Sequence, residues 1–193
     1  MIQSIKTYCD SLTGEFHSIP APRKEILDKL TLYIRTKVQE NKPIRLVYVC
    51  THNSRRSHFG QVWAQVAAWY YNAPNVHTYS GGTEATAFHP NAIHAFEKIG
   101  FQIKKTSEEK NPVYEVSYDL NEQPALCFSK TYDDKNNPQS DFAAIMTCSD
   151  AEENCPFIPC VELRIATTYD DPKEFDNTSQ QDEKYSERCK QIA

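Results

Sequence analysis

The chain has 193 residues, 39% of them hydrophobic and 24% charged, which is enough to bury the core of one domain, or of one domain with an appendage. Its formal net charge of −5 argues against a nucleic-acid-binding protein. The sequence has no signal-peptide pattern at its start and no apolar run near the ~20 residues of a membrane span. We therefore expect a cytoplasmic protein without a membrane partner. Seven cysteines in such a protein favour thiol chemistry or metal binding over a framework of structural disulfides.

Residues 1–43 predict a helical N-terminal extension to the domain formed by residues 44–193. Pro20 and Pro22 mark a break, and the residues after them place apolar side chains at helical spacing. The members of this stripe are Ile26, Leu27, Leu30, Tyr33, Ile34 and Val38. We expect this amphipathic helix to pack against the domain; covering a partner surface is the alternative.

After the extension, strand and helix patterns alternate. The β-branched run 44–50 predicts a strand, and apolar residues along one side of 57–70 predict the helix that follows a polar loop. A second strand is predicted over 76–80 and a second helix over 90–99, with Gly100 as its C-terminal cap. This alternation is typical of a parallel sheet with helices on its faces.

The remaining residues predict two more strands of that sheet and one insertion. Two apolar stretches flank a polar link and predict an inserted β-hairpin at about 113–130. Residues 142–147 and 160–165 predict further core strands, and residues 183–193 begin a closing helix. The predicted fold class is therefore α/β, with a parallel sheet of about four strands flanked by helices, the inserted hairpin and the helical extension.

The loop between the first predicted strand and helix carries the strongest chemical signal. It reads Cys50-Thr51-His52-Asn53-Ser54-Arg55-Arg56-Ser57, and we name it the oxyanion loop. Backbone N–H groups of residues 51–57 and the start of the helix can bind a tetrahedral oxyanion, and Arg56 can hold two of its oxygens. The same positive field favours the thiolate of Cys50, so this residue is the candidate nucleophile, with Ser57 donating its hydroxyl to the sulfur. A buried structural cysteine beside a surface arginine is the alternative interpretation.

This loop resembles that of the low-molecular-weight protein tyrosine phosphatases and of the related thioredoxin-coupled arsenate reductases. The shared pattern is cysteine, two residues, asparagine, two residues, arginine and serine, and the matching residues are Cys50, Asn53, Arg56 and Ser57. The resemblance covers about residues 44–172 and implies the α/β fold of that superfamily. Many relatives have a second cysteine where this chain has Arg55, so a protective disulfide within the loop is not expected here.

An aspartate directly before a proline provides a second match. In both families such an aspartate is the general acid that protonates the leaving oxygen, and the resemblance implies this role for Asp171. An ordinary acidic turn is the alternative, because Asp-Pro pairs commonly form turns. We also expect His52 and Arg55 to line the rim of the pocket, and His58 to be solvated at the start of the helix.

Two further cysteines distinguish the reductases from the phosphatases. Cys148 ends a predicted strand of the sheet that contains Cys50, and Cys155 follows seven residues later, directly before a proline. Their identity and spacing resemble the reductase signature, which the phosphatases generally lack. The resemblance implies that Cys50 attacks arsenate, that Cys148 then attacks Cys50 and releases arsenite, and that Cys155 attacks Cys148. It also implies no bound cofactor, since thioredoxin reduces the final disulfide as an external reductant.

Three other functions remain open at this point. The first is a phosphatase that hydrolyses phosphotyrosine or aryl phosphates through a phosphocysteine, which would also use Cys50, Arg56 and Asp171. The sequence therefore does not decide whether the cellular substrate is arsenate or a phosphorylated protein. A module that binds an oxyanion without turnover is the second. A structural zinc site is the third, disfavoured by ligand spacing, and its four thiolates would be Cys127, Cys148, Cys155 and Cys160.

The cysteines outside the relay are expected to pack as small hydrophobic side chains. They are Cys9, Cys127, Cys160 and Cys189. Some relatives bind a monovalent cation beside the loop through the asparagine and a serine after the second strand. Asn53 and Ser80 match those two ligands, but the other ligands cannot be identified, so we predict no metal site.

Overall fold

The computed structural model describes residues 1–154 and 157–193. Its helices are α1 (Gln3–Thr13), α2 (Ala21–Gln39), α3 (Arg56–Tyr70), α4 (Pro90–Ile99), α5 (Ser149–Asn154) and α6 (Gln181–Ile192). Its strands are β1 (Ile44–Cys50), β2 (Val76–Gly82), β3 (Gln102–Lys105), β4 (Tyr114–Ser117), β5 (Ala125–Cys127), β6 (Phe142–Met146) and β7 (Val161–Ala166). One-turn 3-10 helices lie at Phe16–Ser18 and Pro172–Phe175.

The central sheet has four strands in the order β2-β1-β6-β7, and every neighbouring pair is parallel. The predicted four-stranded parallel sheet is therefore confirmed. Register pairs Cys50 of β1 with Gly82 of β2, and Val49 of β1 with Met146 of β6. Because the carboxyl ends of parallel strands lie at one edge of a sheet, the oxyanion loop and Cys148 both follow strands that end at that edge.

The predicted hairpin is confirmed as the antiparallel pair of β4 and β5, but it belongs to a sheet of three strands in the order β3-β4-β5. Strand β3 was missed because its four residues include three exposed polar side chains, and only Ile103 is partly buried. Such a segment lacks the alternation of apolar and polar residues that predicts a strand. Gly100 closes α4 in the left-handed conformation, with φ of 110°, as expected.

The two N-terminal helices pack into the rest of the chain. Helix α1 buries Ile5 and Cys9 in the apolar cluster that contains Trp63 and Phe96. Helix α2 lays its apolar stripe on one face of the central sheet, where Leu30 contacts the cluster formed by β1, β6 and β7. The expectation that the amphipathic helix packs on the domain is confirmed. No helix in the described ranges is both long and apolar enough to span a membrane.

Candidate active site

The oxyanion loop turns sharply from the end of β1 into α3, and Asn53 makes this turn possible. Asn53 has a φ of 44°, in the left-handed region that asparagine tolerates better than most residues. Its Nδ2 donates to Ser57 Oγ at 2.8 Å, and its Oδ1 accepts the backbone N–H of Lys130 at 2.9 Å. Ser57 Oγ lies 3.1 Å from Cys50 Sγ. Because Asn53 already donates to this oxygen, the Ser57 hydroxyl hydrogen is free to donate to the sulfur.

The backbone of the loop presents unused hydrogen-bond donors. Within the described part of the chain, none of the N–H groups of residues 52–57 donates a hydrogen bond to a protein acceptor. These groups precede and begin α3, whose 15 residues add the positive potential of a helix N-terminus. Clustered N–H groups at such a position bind tetrahedral anions, so the loop can hold an oxyanion next to Cys50.

The end of β2 braces the loop from the side. The N–H of Thr83 donates to the Cys50 carbonyl at 3.2 Å, and the N–H of Glu84 donates to the Thr51 carbonyl at 2.8 Å. Gly82 is pressed against the same backbone, since a Cβ atom on it would lie 2.6 Å from the Thr51 carbonyl oxygen and 2.7 Å from the Asn53 nitrogen. Any side chain at position 82 would therefore push the loop out of place.

Arg56 and Asp171 form an ion pair at the mouth of the loop. Nη2 of Arg56 donates to Oδ2 of Asp171 at 2.5 Å, and its Nη1 donates to the Tyr169 carbonyl at 2.7 Å. The other oxygen of Asp171 accepts the N–H of Lys173 at 3.0 Å and caps the 3-10 helix that follows. Nε of Arg56 is buried without a partner among the described residues. The guanidinium thus holds the Asp171 loop against the oxyanion loop and keeps one buried donor for a ligand.

The side chain of Arg55 does not line the pocket, so that expectation was wrong. Its Nε donates to the Tyr185 hydroxyl at 2.6 Å and its Nη2 donates to Asp176 at 2.9 Å. Asp176 also accepts from the Tyr185 hydroxyl and from Asn91. Burial raises the pKa of Asp176, but hydrogen bonds from Tyr185 and the charge of Arg55 outweigh it and lower the pKa overall. This buried network anchors the C-terminal segment to the loop, while Arg55 can offer substrate only its backbone N–H.

His58 is also placed differently from expectation. Instead of being solvated, it is fully buried, with Nδ1 3.2 Å from Ser80 Oγ and its ring 4.2 Å from the Phe88 ring. Burial, helped by the nearby charge of Lys130, lowers the pKa of His58 to about 3. The imidazole is therefore neutral at neutral pH and acts as a packed polar side chain behind the loop.

The other side chains of the loop divide between its rim and its supports. His52 is exposed at the rim, as expected, with Nε2 3.7 Å from the Glu84 carboxylate. Ser54 Oγ donates to the Ala87 carbonyl at 2.7 Å and so anchors the outer side of the loop. Thr51 points toward α5, where its hydroxyl donates to Asp150 at 2.6 Å.

Cys148 lies directly beside the oxyanion loop. Its buried Sγ is 3.5 Å from Thr51 Oγ1 and accepts the backbone N–H of Ala151 at 3.4 Å. The Thr51 hydroxyl hydrogen goes to the Asp150 carboxylate, which can only accept, so the Thr51 oxygen is left to accept from the Cys148 thiol. Cys155 lies outside the described residues, and its role stays a prediction.

The remaining described cysteines separate into buried and exposed. Cys9, Cys127 and Cys189 pack in the core as expected, and burial raises the pKa of Cys127 and of Cys189 to about 12, which makes them poor nucleophiles. Cys160 was expected in the core, but it is exposed in a left-handed turn, with φ of 58°. Cys127 and Cys148 belong to separate apolar clusters, and no three potential metal ligands converge in the described ranges.

The two residues that match cation ligands in some relatives are occupied by protein contacts. Ser80 Oγ donates to Gln61 Oε1 at 2.6 Å, and Asn53 Oδ1 accepts the N–H of Lys130. Both side chains therefore support the loop from behind. Asp176 and Lys130 were missed as supporting residues, since each is far along the chain from the loop and carries no local motif.

No family model matches the chain. It is 28% identical over 127 residues, 66% of this chain and 77% of the relative, to an arsenate reductase from Staphylococcus epidermidis. It is similar to the solved structure of DARP, a Drosophila arginine phosphatase, with a TM-score of 0.51 and 10% identity over 77% of this chain and 92% of that one. A low-molecular-weight phosphotyrosine phosphatase from Vibrio cholerae has a TM-score of 0.49 and 14% identity, over 77% and 89% of the chains.

The parallel sheet with the oxyanion loop at its carboxyl edge is an α/β fold like that of the Drosophila arginine phosphatase. In sequence, the chain is similar to arsenate reductases at 27–28% identity over 66–73% of its length.

Proposed function

We propose that this protein is an arsenate reductase that uses Cys50, Cys148 and Cys155 in turn and takes its electrons from thioredoxin. The observation that carries the proposal is the position of a second buried thiol at the nucleophile's own loop, with Cys148 Sγ 3.5 Å from the hydroxyl of Thr51. Hydrolysis of a phosphate ester needs only the first cysteine. The sequence relatives named as arsenate reductases support the same choice.

Substrate binding uses the backbone of the oxyanion loop. Arsenate is a tetrahedral anion, and the unused N–H groups of residues 52–57 supply donors for its oxygens. Arg56 adds charge and a buried, unpartnered Nε. An anion in the loop competes with Asp171 for the Arg56 guanidinium, which brings the bound oxyanion and the Asp171 carboxyl to the same side chain.

In the first chemical step, the Cys50 thiolate attacks arsenic and forms an S–As bond. The As–O bond to one arsenate hydroxyl breaks, and that hydroxyl leaves as water after it receives a proton from Asp171. Arsenic remains As(V) in this adduct. Ser57 donates to the sulfur before attack and so favours the thiolate form.

In the second step, the Cys148 thiolate attacks Cys50 Sγ. A Cys50–Cys148 disulfide forms, the S–As bond breaks, and its electron pair stays with arsenic, which leaves as arsenite in the As(III) state. The N–H of Ala151 already points at Cys148 Sγ and stabilises negative charge there. The neighbouring strands β1 and β6 hold the two cysteines at one edge of the sheet.

In the third step, the Cys155 thiolate attacks Cys148 and frees Cys50 as a thiolate. Disulfide geometry requires the two Cα atoms to come within ~7 Å, and the segment 149–154 joins the two cysteines. That segment is a short helix whose side chains are mostly exposed, and few core contacts oppose its movement. A dithiol of thioredoxin then reduces the Cys148–Cys155 disulfide by exchange, which balances the two electrons given to arsenic.

Phosphatase activity is the second candidate, and the close contact of Arg56 with Asp171 favours it. Cys50, Arg56 and Asp171 contain everything that phosphocysteine formation and hydrolysis need besides water. We therefore expect the protein to hydrolyse aryl phosphates as a side activity. A phosphotyrosine protein would be the physiological substrate only if the thiol relay fails.

The two candidates are separated by replacing Cys148 with serine. Cys148→Ser should stop arsenate-dependent oxidation of reduced thioredoxin and leave hydrolysis of p-nitrophenyl phosphate close to normal, because only reduction needs the second thiol. Cys160→Ser is the matched control, since Cys160 is an exposed cysteine in the same region. Normal thioredoxin-linked turnover by the Cys148→Ser variant would exclude the relay and leave the phosphatase.

A further inference from the structure

A cleft at the open edge of the central sheet lies apart from the oxyanion loop. Its walls are the edge strand β2, helix α3 and the segment around β5, and its volume is about 320 Å³. That volume is within the range of small-ligand sites. Residues that line it include Gln61, Gln65, Val76, Tyr79, Leu126 and Lys130. We call it the Lys130 cleft.

Lys130 is the unusual residue of the cleft. Only 5% of its surface is exposed, yet its ammonium has no hydrogen-bond or ion-pair partner within the described residues. Its Nζ lies over the Phe128 ring, 4.3 Å from the ring centroid. Burial of a cation is costly and lowers the pKa of Lys130, and the nearby charge of Asp134 offsets only part of this effect. The carboxylate of Asp134, the nearby acidic group, is instead bound to Asn136.

The backbone of Lys130 fixes the base of this side chain. Its N–H donates to Asn53 Oδ1 at 2.9 Å, and its carbonyl accepts the N–H of Gly82 at 2.9 Å. An ammonium that starts from a fixed backbone loses little freedom when it binds an anion. The position of the charge is therefore set before any ligand arrives.

The rest of the cleft lining is mixed, with polar and apolar surface in similar amounts. Gln61 donates to the Leu126 carbonyl, and Gln65 accepts from Thr78. Val76, Pro124 and Ala125 supply apolar surface, and the Leu126 side chain is 53% exposed at the side of the cleft. A buried cation beside the apolar surface of Phe128 and Leu126 favours a ligand with one acidic group and an apolar body.

We propose that the Lys130 cleft binds a small organic anion whose carboxylate or phosphonate-like head pairs with the Lys130 ammonium and whose apolar body packs against Phe128 and Leu126. This site takes no part in the proposed arsenate chemistry. It would remain if that proposal failed, because it uses none of the cysteines.

The test is a binding titration of the full chain by two-dimensional NMR, with inorganic phosphate added to occupy the oxyanion loop. Benzoate and phenylphosphonate are the anionic probes, which separate the two head groups, and benzamide is the uncharged control of the same shape. At ~10 mM, at least one anion should shift the amide signals of residues 76–79 and 125–130, while benzamide should not.

Two variants make the result specific. Lys130→Met keeps the length of the side chain and removes its charge, and it should weaken anion binding at least ~10-fold. Lys135→Met, in the following polar loop, is the matched control and should bind as the unaltered chain does. Leu126→Glu places a negative charge at the exposed side of the cleft and should also weaken binding, even if Lys130→Met folds poorly. Absence of shifts with both anions would overturn the proposal. So would a result in which Lys130→Met and Leu126→Glu both bind the anion as tightly as the unaltered chain does.

Discussion

Arg56 holds Asp171 at 2.5 Å through its Nη2, while its Nε stays buried and unpartnered in the described part of the chain. One side chain therefore connects the oxyanion loop to the loop of the candidate acid. An anion in the loop competes with Asp171 for this guanidinium, so the contact that positions the candidate acid depends on whether the loop is occupied.

Replacement of Asp171 tests its role as the acid. Asp171→Asn should slow hydrolysis of an unactivated aryl phosphate by ~10²–10⁴, the usual contribution of a general acid. The loss should shrink for substrates with good leaving groups, which need little protonation. Rates measured across a series of phenols with different acidity provide the check.

Asp170→Asn is the matched control for this prediction. Asp170 precedes Asp171 but is 94% exposed, with only a 3.6 Å ion pair to Arg188. Its removal should change the rate little. If Asp170→Asn instead shows the large loss and Asp171→Asn does not, the acid has been assigned to the wrong residue.

Loss of Cys155 should stop the relay after a single round. In Cys155→Ser, arsenate should release about one equivalent of arsenite per chain and leave a Cys50–Cys148 disulfide, since no thiol remains to resolve it. Mass spectrometry of unreduced peptides detects this bridge. Because Cys160 is exposed and could substitute, Cys155→Ser combined with Cys160→Ser is the decisive variant. Continuous turnover by the double variant contradicts the relay.

Even the addition of one methyl group at Gly82 should destabilise the protein. Gly82→Ala places a Cβ 2.6 Å from the Thr51 carbonyl oxygen, and backbone on both sides prevents an easy adjustment. We expect a loss of ~1–3 kcal/mol in stability and weaker phosphate binding at the oxyanion loop. Gly14→Ala is the control, because its Cβ would meet only the Ser11 carbonyl oxygen at 3.4 Å. Thermal unfolding and phosphate titration of both variants decide whether the close approach matters.

The oxyanion loop could be predicted because its information is local. Cys50 and Ser57 belong to one connection between a strand and a helix, and the spacing alone brings their side chains together. The supports of the loop could not be predicted in this way. Asp176 reaches Arg55 across more than a hundred residues, and the backbone of Lys130 reaches Asn53 from an insertion. Neither contact leaves a pattern in the sequence near the loop.

The wrong expectations have physical causes of the same kind. His58 was read as a solvated residue at a helix start, but the first turn of α3 is covered by β2 and by Phe88. Cys160 was expected in the core because free cysteine usually is buried, whereas a left-handed turn before β7 exposes it. Whether a residue at the end of a helix or strand is buried depends on segments that are distant in the sequence and pack against it. The spacing of apolar residues within the helix or strand does not reveal those segments.

His58 should make the protein sensitive to acid. Its pKa is lowered to about 3 by burial in the folded state, while an unfolded histidine titrates near ~6.5. Between those values the unfolded chain binds a proton that the folded chain does not, so the free energy of unfolding should fall as pH decreases. The expected slope from this group is about 1.4 kcal/mol per pH unit, and its stabilising contribution is complete only above ~6.5.

His58→Gln should remove this part of the acid dependence, because glutamine keeps a polar group near Ser80 and carries no titrating proton. The free energy of unfolding of the variant is expected to be lower at pH 7 but to change less between pH 6.5 and pH 5 than that of the unaltered chain. His94→Gln is the control, since His94 is 52% exposed on α4 and should leave the pH profile unchanged. Urea unfolding at several pH values measures the free energy of unfolding of each chain. If this free energy changes with pH in the same way for His58→Gln and the unaltered chain, His58 does not stay neutral in the folded protein.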